Sequence, residues 1–340
     1  MVTLSAHPAP SRALQGILCV EIAMLLFVGQ DGMMKTLLTV YPVWLLIFVR
    51  SIVTLLVMTP LIWILGRPHR LLTPLWPLHL LRAFLFASGF SMFYAAFPFM
   101  GLAEVSTIFF SAPLITALFA ALFLRETIGP HRSAALVVGF IGVLIAMNPA
   151  GENFSWVAIL PLCTAVTYAI SQIIARKIGD RESTLTVGLY TLTFAGLLIL
   201  PMGWLVNQVI PITPETYHLR WDLPAQAFSD LPRLTLLGCI GMAAYMLISR
   251  AYQVANASLV APFDYTYLPF ATLLAYLLWD EIPGLNTLSG MALIIASGLY
   301  LGWRELRAAR RSDEVPVTAE AIFAPGSPLP PHIPEEESAQ

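Results

Sequence analysis

The chain has 340 residues, 58% of them hydrophobic and 11% charged, with a formal net charge of −2. Soluble domains carry about a quarter charged residues, so a protein of this composition could not cover a water-facing surface, and a soluble globular fold is excluded. Net charge selects no partner by itself; the placement of the charges is more informative.

A helix needs about 20 apolar residues to cross about 30 Å of hydrocarbon. Runs of that kind predict an all-α polytopic membrane protein with ten spans, near 14–38, 43–65, 78–100, 104–124, 133–149, 154–175, 184–206, 234–254, 257–279 and 286–303. The fifth and tenth are the shortest and weakest. The first is too long for a signal peptide and carries Glu21, Asp31 and Lys35. With the N-terminus inside, 14 of the 18 Lys and Arg residues fall on the inner side, only Arg220 and Arg233 fall outside, and Lys35 and Arg50 lie within spans. This asymmetry predicts a multi-pass protein of the cell inner (plasma) membrane with both termini cytoplasmic. The proline-rich stretch 207–233 is expected to rest at the outer interface, and the Pro- and Glu-rich tail 312–340 to be disordered.

Charges inside hydrocarbon are costly and face a cavity or a partner. In the first hairpin Asp31 and Arg50 lie at similar depth on either side of the Val40–Tyr41 turn, and Lys35 follows Asp31 at i,i+4. Asp31 is therefore expected between Arg50 and Lys35, as a gate, a proton-exchanging group or a locked structural pair. Glu21, mid-helix in the first span, is a further proton-coupling candidate. Tyr94 and Phe97 in the third span, Tyr168 and Gln172 in the sixth, Tyr245 in the eighth, and Asp264, Tyr265 and Tyr267 in the ninth supply aromatic walls with polar handles that suit a planar organic ligand. Ser106 and Ser258, near the starts of the fourth and ninth spans, offer either helix capping or substrate contact. Cys19, Cys163 and Cys239 are isolated within apolar runs, and the histidines are scattered over loops and interfaces, so no metal site or cofactor is expected. There is no phosphate-cradling glycine loop.

The two halves repeat. At an offset of 152 residues Leu85 matches Leu237, Gly89 matches Gly241, Ala103 matches Ala255 and Ser106 matches Ser258; Glu126-Thr-Ile-Gly129 resembles Glu281-Ile-Pro-Gly284. Five spans per half make the halves inverted, an arrangement found in alternating-access transporters with a site near the midplane.

Gly101-Leu-Ala-Glu-Val-Ser106, Ser111-Ala-Pro113 and Leu124-Arg-Glu126, with Ala255-Asn-Ala-Ser258, Val260-Ala-Pro-Phe-Asp-Tyr265 and Glu281-Ile-Pro283, resemble the EamA-type repeat of the drug/metabolite transporter superfamily. The resemblance implies two inverted five-helix repeats, 13–149 and 154–305, between an N-terminal tail 1–12 and the C-terminal tail. It also implies a secondary transporter, not an enzyme, that moves a small organic metabolite such as an amino acid, cofactor or nucleoside. The second half is similar to S-adenosylmethionine and riboflavin carriers. The partners expected are a small molecule and the bilayer, with no nucleic acid; a homodimer is compatible with the sequence. A non-transport assembly protein is the alternative, and it leaves Asp31, Arg50 and Asp264 as an unexplained cost.

Overall fold

The computed structural model of the protein describes residues 10–66, 69, 71–123, 130–149, 151, 155–179, 182–255 and 257–312. All regular structure among them is helical. The α-helices are α1 (Pro10–Leu37), α2 (Val43–Leu65), α3 (Trp76–Ala96), α4 (Leu102–Phe109), α5 (Ala112–Phe123), α6 (Pro130–Met147), α7 (Ile159–Gly179), α8 (Thr184–Val209), α9 (Gln226–Ser229), α10 (Leu231–Val254), α11 (Ala257–Val260), α12 (Tyr267–Trp279) and α13 (Leu285–Ser312).

Among the described residues eight helical segments are long and apolar enough to cross a membrane, the fourth of them, Leu102–Phe119, running through α4 into α5, and Ser133–Met147 is a shorter apolar helix. The tenth sequence run, expected to be weak, is a full-length helix in α13. The ninth, expected to be continuous, is assembled from α11, a 3-10 stretch over Ala261–Thr266, and α12. The fourth also breaks, at Phe110–Ser111. Pro113 and Pro262 explain where the chain restarts, because a residue without an N–H is tolerated in the first turn of a new segment and not in a helix interior. The proline-rich stretch between α8 and α10 carries a 3-10 turn at Tyr217–Leu219 as well as α9. The tail beyond Ser312 lies outside the described residues.

Leu56, Trp63, Ile64, Val209 and Phe228 are each at least two-thirds exposed. That much outward apolar surface is suited to lipid, while helices satisfy their own backbone polar groups. Inside, α1 packs on α10, α2 on α8, α3 on α7 and α8, α6 on α13, α12 on α1 and α4, and α5 on α7. Small residues allow the close crossings. Gly89 lies against Thr164 and Thr167 of α7, and Thr164 Oγ1 donates to the Gly89 carbonyl at 2.8 Å. Gly241 lies against Gln30 of α1.

The tightest backbone approach is between α6 and α13: a Cβ on Gly142 would stand 3.0 Å from the Gly290 carbonyl, and one on Gly290 would stand 2.7 Å from Ala146 Cβ. Gly290→Val therefore forces these helices apart. Overpacking of this kind costs about 1–3 kcal/mol, and thermal unfolding in detergent should show a lower midpoint for Gly290→Val, with Gly302→Ala, which meets nothing within 4 Å, close to wild type.

Candidate functional site

Asp31 is buried in α1 and receives three donors. Tyr267 Oη donates to Oδ2 at 2.7 Å; Tyr94 Oη and Gln30 Nε2 donate to Oδ1 at 3.1 and 3.2 Å. Arg50 Nη1 in turn donates to Tyr94 Oη at 2.7 Å. The carboxylate and the guanidinium expected at one depth are thus joined through a phenol, with no direct ion pair between them among the described residues. Side chains of α1, α2, α3 and α12 converge on this point. An ionised carboxylate accepts only, and every neighbour named here is placed to donate to it. Ser106 of α4 stands behind Tyr267, its hydroxyl 3.5 Å from the phenol oxygen.

Lys35 does not join Asp31. It forms an ion pair with Glu281, beyond the end of α12, and lies over the Trp279 ring at 5.1 Å from the centroid. Glu281 Oε2 also accepts the Leu102 N–H at 3.2 Å, and Glu104 Oε2 accepts the Gly101 N–H at 3.3 Å. The start of α4, a candidate for anionic substrate groups, is therefore taken by the protein's own carboxylates. This cluster floors an outer cavity of ≈ 610 Å³ whose walls include Phe97, Tyr217, His218 and Trp279. Beside Asp31 and Arg50, by contrast, the cavity is ≈ 40 Å³, walled by Phe86, Phe90, Tyr94 and Tyr245. Metabolite pockets run to hundreds of Å³, so the inner space is closed down to about the room of a water molecule.

The remaining sequence candidates spread over other places. Asp264 is buried and accepts Tyr252 Oη at 3.0 Å. Tyr265 and Tyr267 both pack on Phe110, but the Tyr267 hydroxyl reaches Asp31 while the Tyr265 hydroxyl lies against Gly298. Glu21 faces Thr266. Phe97 stacks edge-on with Phe93 and Tyr94. Tyr245 reaches the Asp31 cavity with its ring but gives its proton to the Thr184 carbonyl at 2.7 Å. The side chain of Ser258 lies outside the described residues.

Tyr168 and Gln172 belong to a cluster the sequence did not disclose. Arg82 of α3, read from sequence as an inner-surface cation, is fully buried. Its Nε donates to Ser171 Oγ and its Nη2 to Gln172 Oε1, both at 3.2 Å, and Gln172 Nε2 donates to Tyr168 Oη at 3.1 Å. One turn earlier His79, expected at an interface, is also fully buried; it bonds Glu182 at 2.7 Å, and Glu182 also accepts Thr73. The available signal was position: Arg82 lies inside the third apolar run. No cluster with metal-binding composition occurs among the described residues.

At the opposite end, loops tie the helices together. Tyr41 Oη donates to Asp230 Oδ2 at 2.7 Å, Arg220 Nη2 donates to the Val40 carbonyl at 2.6 Å and Trp44 Nε1 to the Arg220 carbonyl at 3.0 Å. Burial, reinforced by the Asp230 carboxylate, pushes the Tyr41 phenol up to about 12, so this tie does not titrate near neutral pH.

The EamA-like transporter family matches residues 14–148 and again 155–302, together most of the chain. The chain belongs to this family. It is 27% identical over 239 residues to an S-adenosylmethionine uptake transporter of Rickettsia conorii, covering 69% of this chain and 75% of the relative. With a riboflavin transporter of Vibrio cholerae it shares 29% identity over 274 residues, 78% of this chain and 85% of the relative. A solved crystal structure superposes with a TM-score of 0.52 at 19% identity over 88% of this chain and 99% of the other, a likeness of fold. The protein is a small-molecule transporter of the drug/metabolite superfamily, embedded in a membrane by multiple spans.

In this transporter His218 forms part of the outer cavity and packs edge-on against Phe99 at 5.7 Å. Burial holds its imidazole below the ordinary histidine value, with the nearby Arg220 adding to the effect and hydrogen bonds to the Ala95 and Glu215 backbone opposing it. A lowered value means that the released loop binds the proton more readily. The stabilisation is present above the ordinary value of about 6.5 and is lost as pH falls below it. Limited proteolysis of the 210–230 segment should accelerate as pH drops from about 7.5 to about 5, and His218→Gln should remove the His218 part of that acceleration.

Proposed function

We propose that the protein is a ten-span secondary transporter in which two inverted five-helix halves, 13–149 and 154–305, rock about a midplane site, with Asp31 as the proton-coupling carboxylate. Helix packing supports the inverted halves. Exchanging them turns the α1–α10 contact into α7–α3, α2–α10 into α8–α3, and α1–α12 into α7–α5, all of which occur. The α2–α8 and α6–α13 contacts map onto themselves, as does the contact between the fourth and ninth segments taken whole, seen in α4–α12. The broken fourth and ninth segments also correspond, as expected where backbone is interrupted beside a transport site. The 14-to-2 distribution of basic residues supports cytoplasmic termini and a cytoplasmic-membrane location.

The observation that carries the coupling role is the convergence of four helices on one buried carboxylate balanced by Arg50 through Tyr94. Protonating Asp31 removes one buried charge and unbalances the other, which gives the helices a reason to rearrange. An intramembrane enzyme would need a reacting constellation; the groups around Asp31 form a hydrogen-bonded junction between helices. The substrate class proposed is a heteroaromatic metabolite of the kind named for the relatives, S-adenosylmethionine or riboflavin. Phe86, Phe90 and Tyr94 beside the coupling site, with Phe109 and Tyr168 packed on Phe90, supply flat apolar faces for such a ring once the halves part.

Uptake into proteoliposomes, with and without an imposed pH gradient, against a panel of S-adenosylmethionine, riboflavin, amino acids and nucleosides tests this. A compound accumulated by wild type in response to the gradient should lose that response by at least about tenfold, or 1.4 kcal/mol, in Asp31→Asn, while counterflow exchange persists. Gradient-driven accumulation unchanged in Asp31→Asn removes Asp31 from the coupling step.

A further inference from the structure

We infer that Ser106 is the positioning residue that lets Asp31 accept a proton, by taking over the hydroxyl of Tyr267. The inference rests on the reading of Asp31 as the coupling carboxylate and names the partner which that reading lacks.

A carboxylate surrounded by donors has nowhere to point a new proton. Facing Asp31 are Arg50 from α2, Tyr94 from α3, Tyr267 from α12 and Gln30 from its own helix. α10 adds Gly238, Gly241, Met242 and Tyr245 to the same cavity, and Lys35 is committed to Glu281. On the Oδ1 side the Tyr94 oxygen already receives Arg50 Nη1 at 2.7 Å, and a guanidinium can only donate. Swinging the Tyr94 proton away from Oδ1 would aim it at a cation. Gln30 Oε1 is buried against Gly241 without a hydrogen-bond partner, and Arg50 Nη2 approaches the same glycine, so turning that amide over would place its N–H groups on the side of the cation.

The Oδ2 side is different. Tyr267 donates to Oδ2 at 2.7 Å, and Ser106 Oγ stands 3.5 Å from the same phenol oxygen, slack for an O–H···O bond. A hydronium ion gives up a proton and leaves as water, and that proton forms an O–H bond on Oδ2. That O–H donates to Tyr267 Oη; the Tyr267 proton leaves Oδ2 and turns to Ser106 Oγ. Ser106 turns its own proton to the carbonyl of Leu102, four residues back, a bond open to helical serines. The neighbouring Thr107 makes the corresponding bond to the Ala103 carbonyl at 2.7 Å. Every hydroxyl keeps an acceptor, and no covalent bond of the protein other than the new O–H changes.

Mechanically, the proton turns a charge-assisted bond between α12 and α1 into a weaker neutral one and adds a bond from α12 to α4. Ser106 lies on the short helix before one backbone break, and Tyr267 is the first residue after the other. A charge change on α1 is thereby passed to the two interrupted segments.

The test needs no transported compound. Infrared difference spectra of the purified full-length protein, acid minus neutral, are recorded in lipid, and the protonated-carboxyl band missing in Asp31→Asn is assigned to Asp31. In Ser106→Ala that band should shift in frequency, and its titration midpoint should require about tenfold more protons, one pH unit. Ser106→Thr should restore wild-type behaviour. Tyr267→Phe should abolish the difference between Ser and Ala at 106, since coupled groups are not additive. Ser106→Cys, closer in size, serves if the alanine variant does not fold. An unchanged band and midpoint in Ser106→Ala overturns the inference and leaves Asp31 coupling intact. Equal shifts in Ser106→Ala and Ser106→Thr overturn it in favour of packing. If no band depends on Asp31 anywhere from about pH 4 to about pH 9, Asp31 coupling and this inference both fall.

Discussion

An ionised carboxylate in hydrocarbon is stable only where donors and a counter-charge replace the water it has lost. Asp31 takes donors from helices far apart in sequence, Tyr94 63 residues away and Tyr267 236 residues away, and its counter-charge from Arg50 of the adjacent α2. That requirement governs much of the interior. It ties Tyr94 of α3 and Tyr267 of α12 to α1, it stations Arg50 behind Tyr94, and it requires a glycine at 241 where Gln30 turns in from α1. A mere structural pair would more simply be replaced by apolar packing, which is often as stable or more so. Retaining the charge makes sense where it has to change.

The conformation is closed around this point. Space for a metabolite lies above the Lys35–Glu281 pair, while the cavity beside Asp31 is nearly filled by aromatic rings. Glu281 both holds Lys35 and caps the first turn of α4, so the end of α1, the start of α4 and the turn after α12 share one electrostatic link. The second tie, through Tyr41, Asp230 and Arg220, is built from a phenol, a carboxylate and backbone carbonyls. Closure at this end therefore depends on polar contacts between loops, while the α6–α13 contact is a matter of backbone shape.

Span positions were legible because hydrocarbon imposes one length scale and the chain shows it repeatedly. The shared depth of Asp31 and Arg50 followed from counting outward from a single turn. Pairing beyond that turn did not follow: Lys35 lies on the same helical face as Asp31, yet its partner Glu281 is 246 residues away, beyond any local rule. Arg82 was read as a surface cation because basic residues near helix ends normally are; its burial depends on Ser171 and Gln172, supplied by α7. The fourth and ninth runs read as continuous spans from their apolar length, so the breaks beside Pro113 and Pro262 were not anticipated. Tyr265 and Tyr267 were grouped as one wall and do share Phe110, but their hydroxyls end in different places, at Gly298 and at Asp31.

The separation between the outer cavity and the Asp31 junction has a pharmacological consequence. A compound shaped to lodge among Phe97, Tyr217 and Trp279 would meet none of the groups that hold the buried charge. It would act as a plug that wedges the vestibule, and resistance to it would arise in loop residues that can change without disturbing the carboxylate beneath. A blocker directed at the junction itself would have to displace Tyr94 or Tyr267, and escape from it would have to come from side chains that also hold the buried carboxylate.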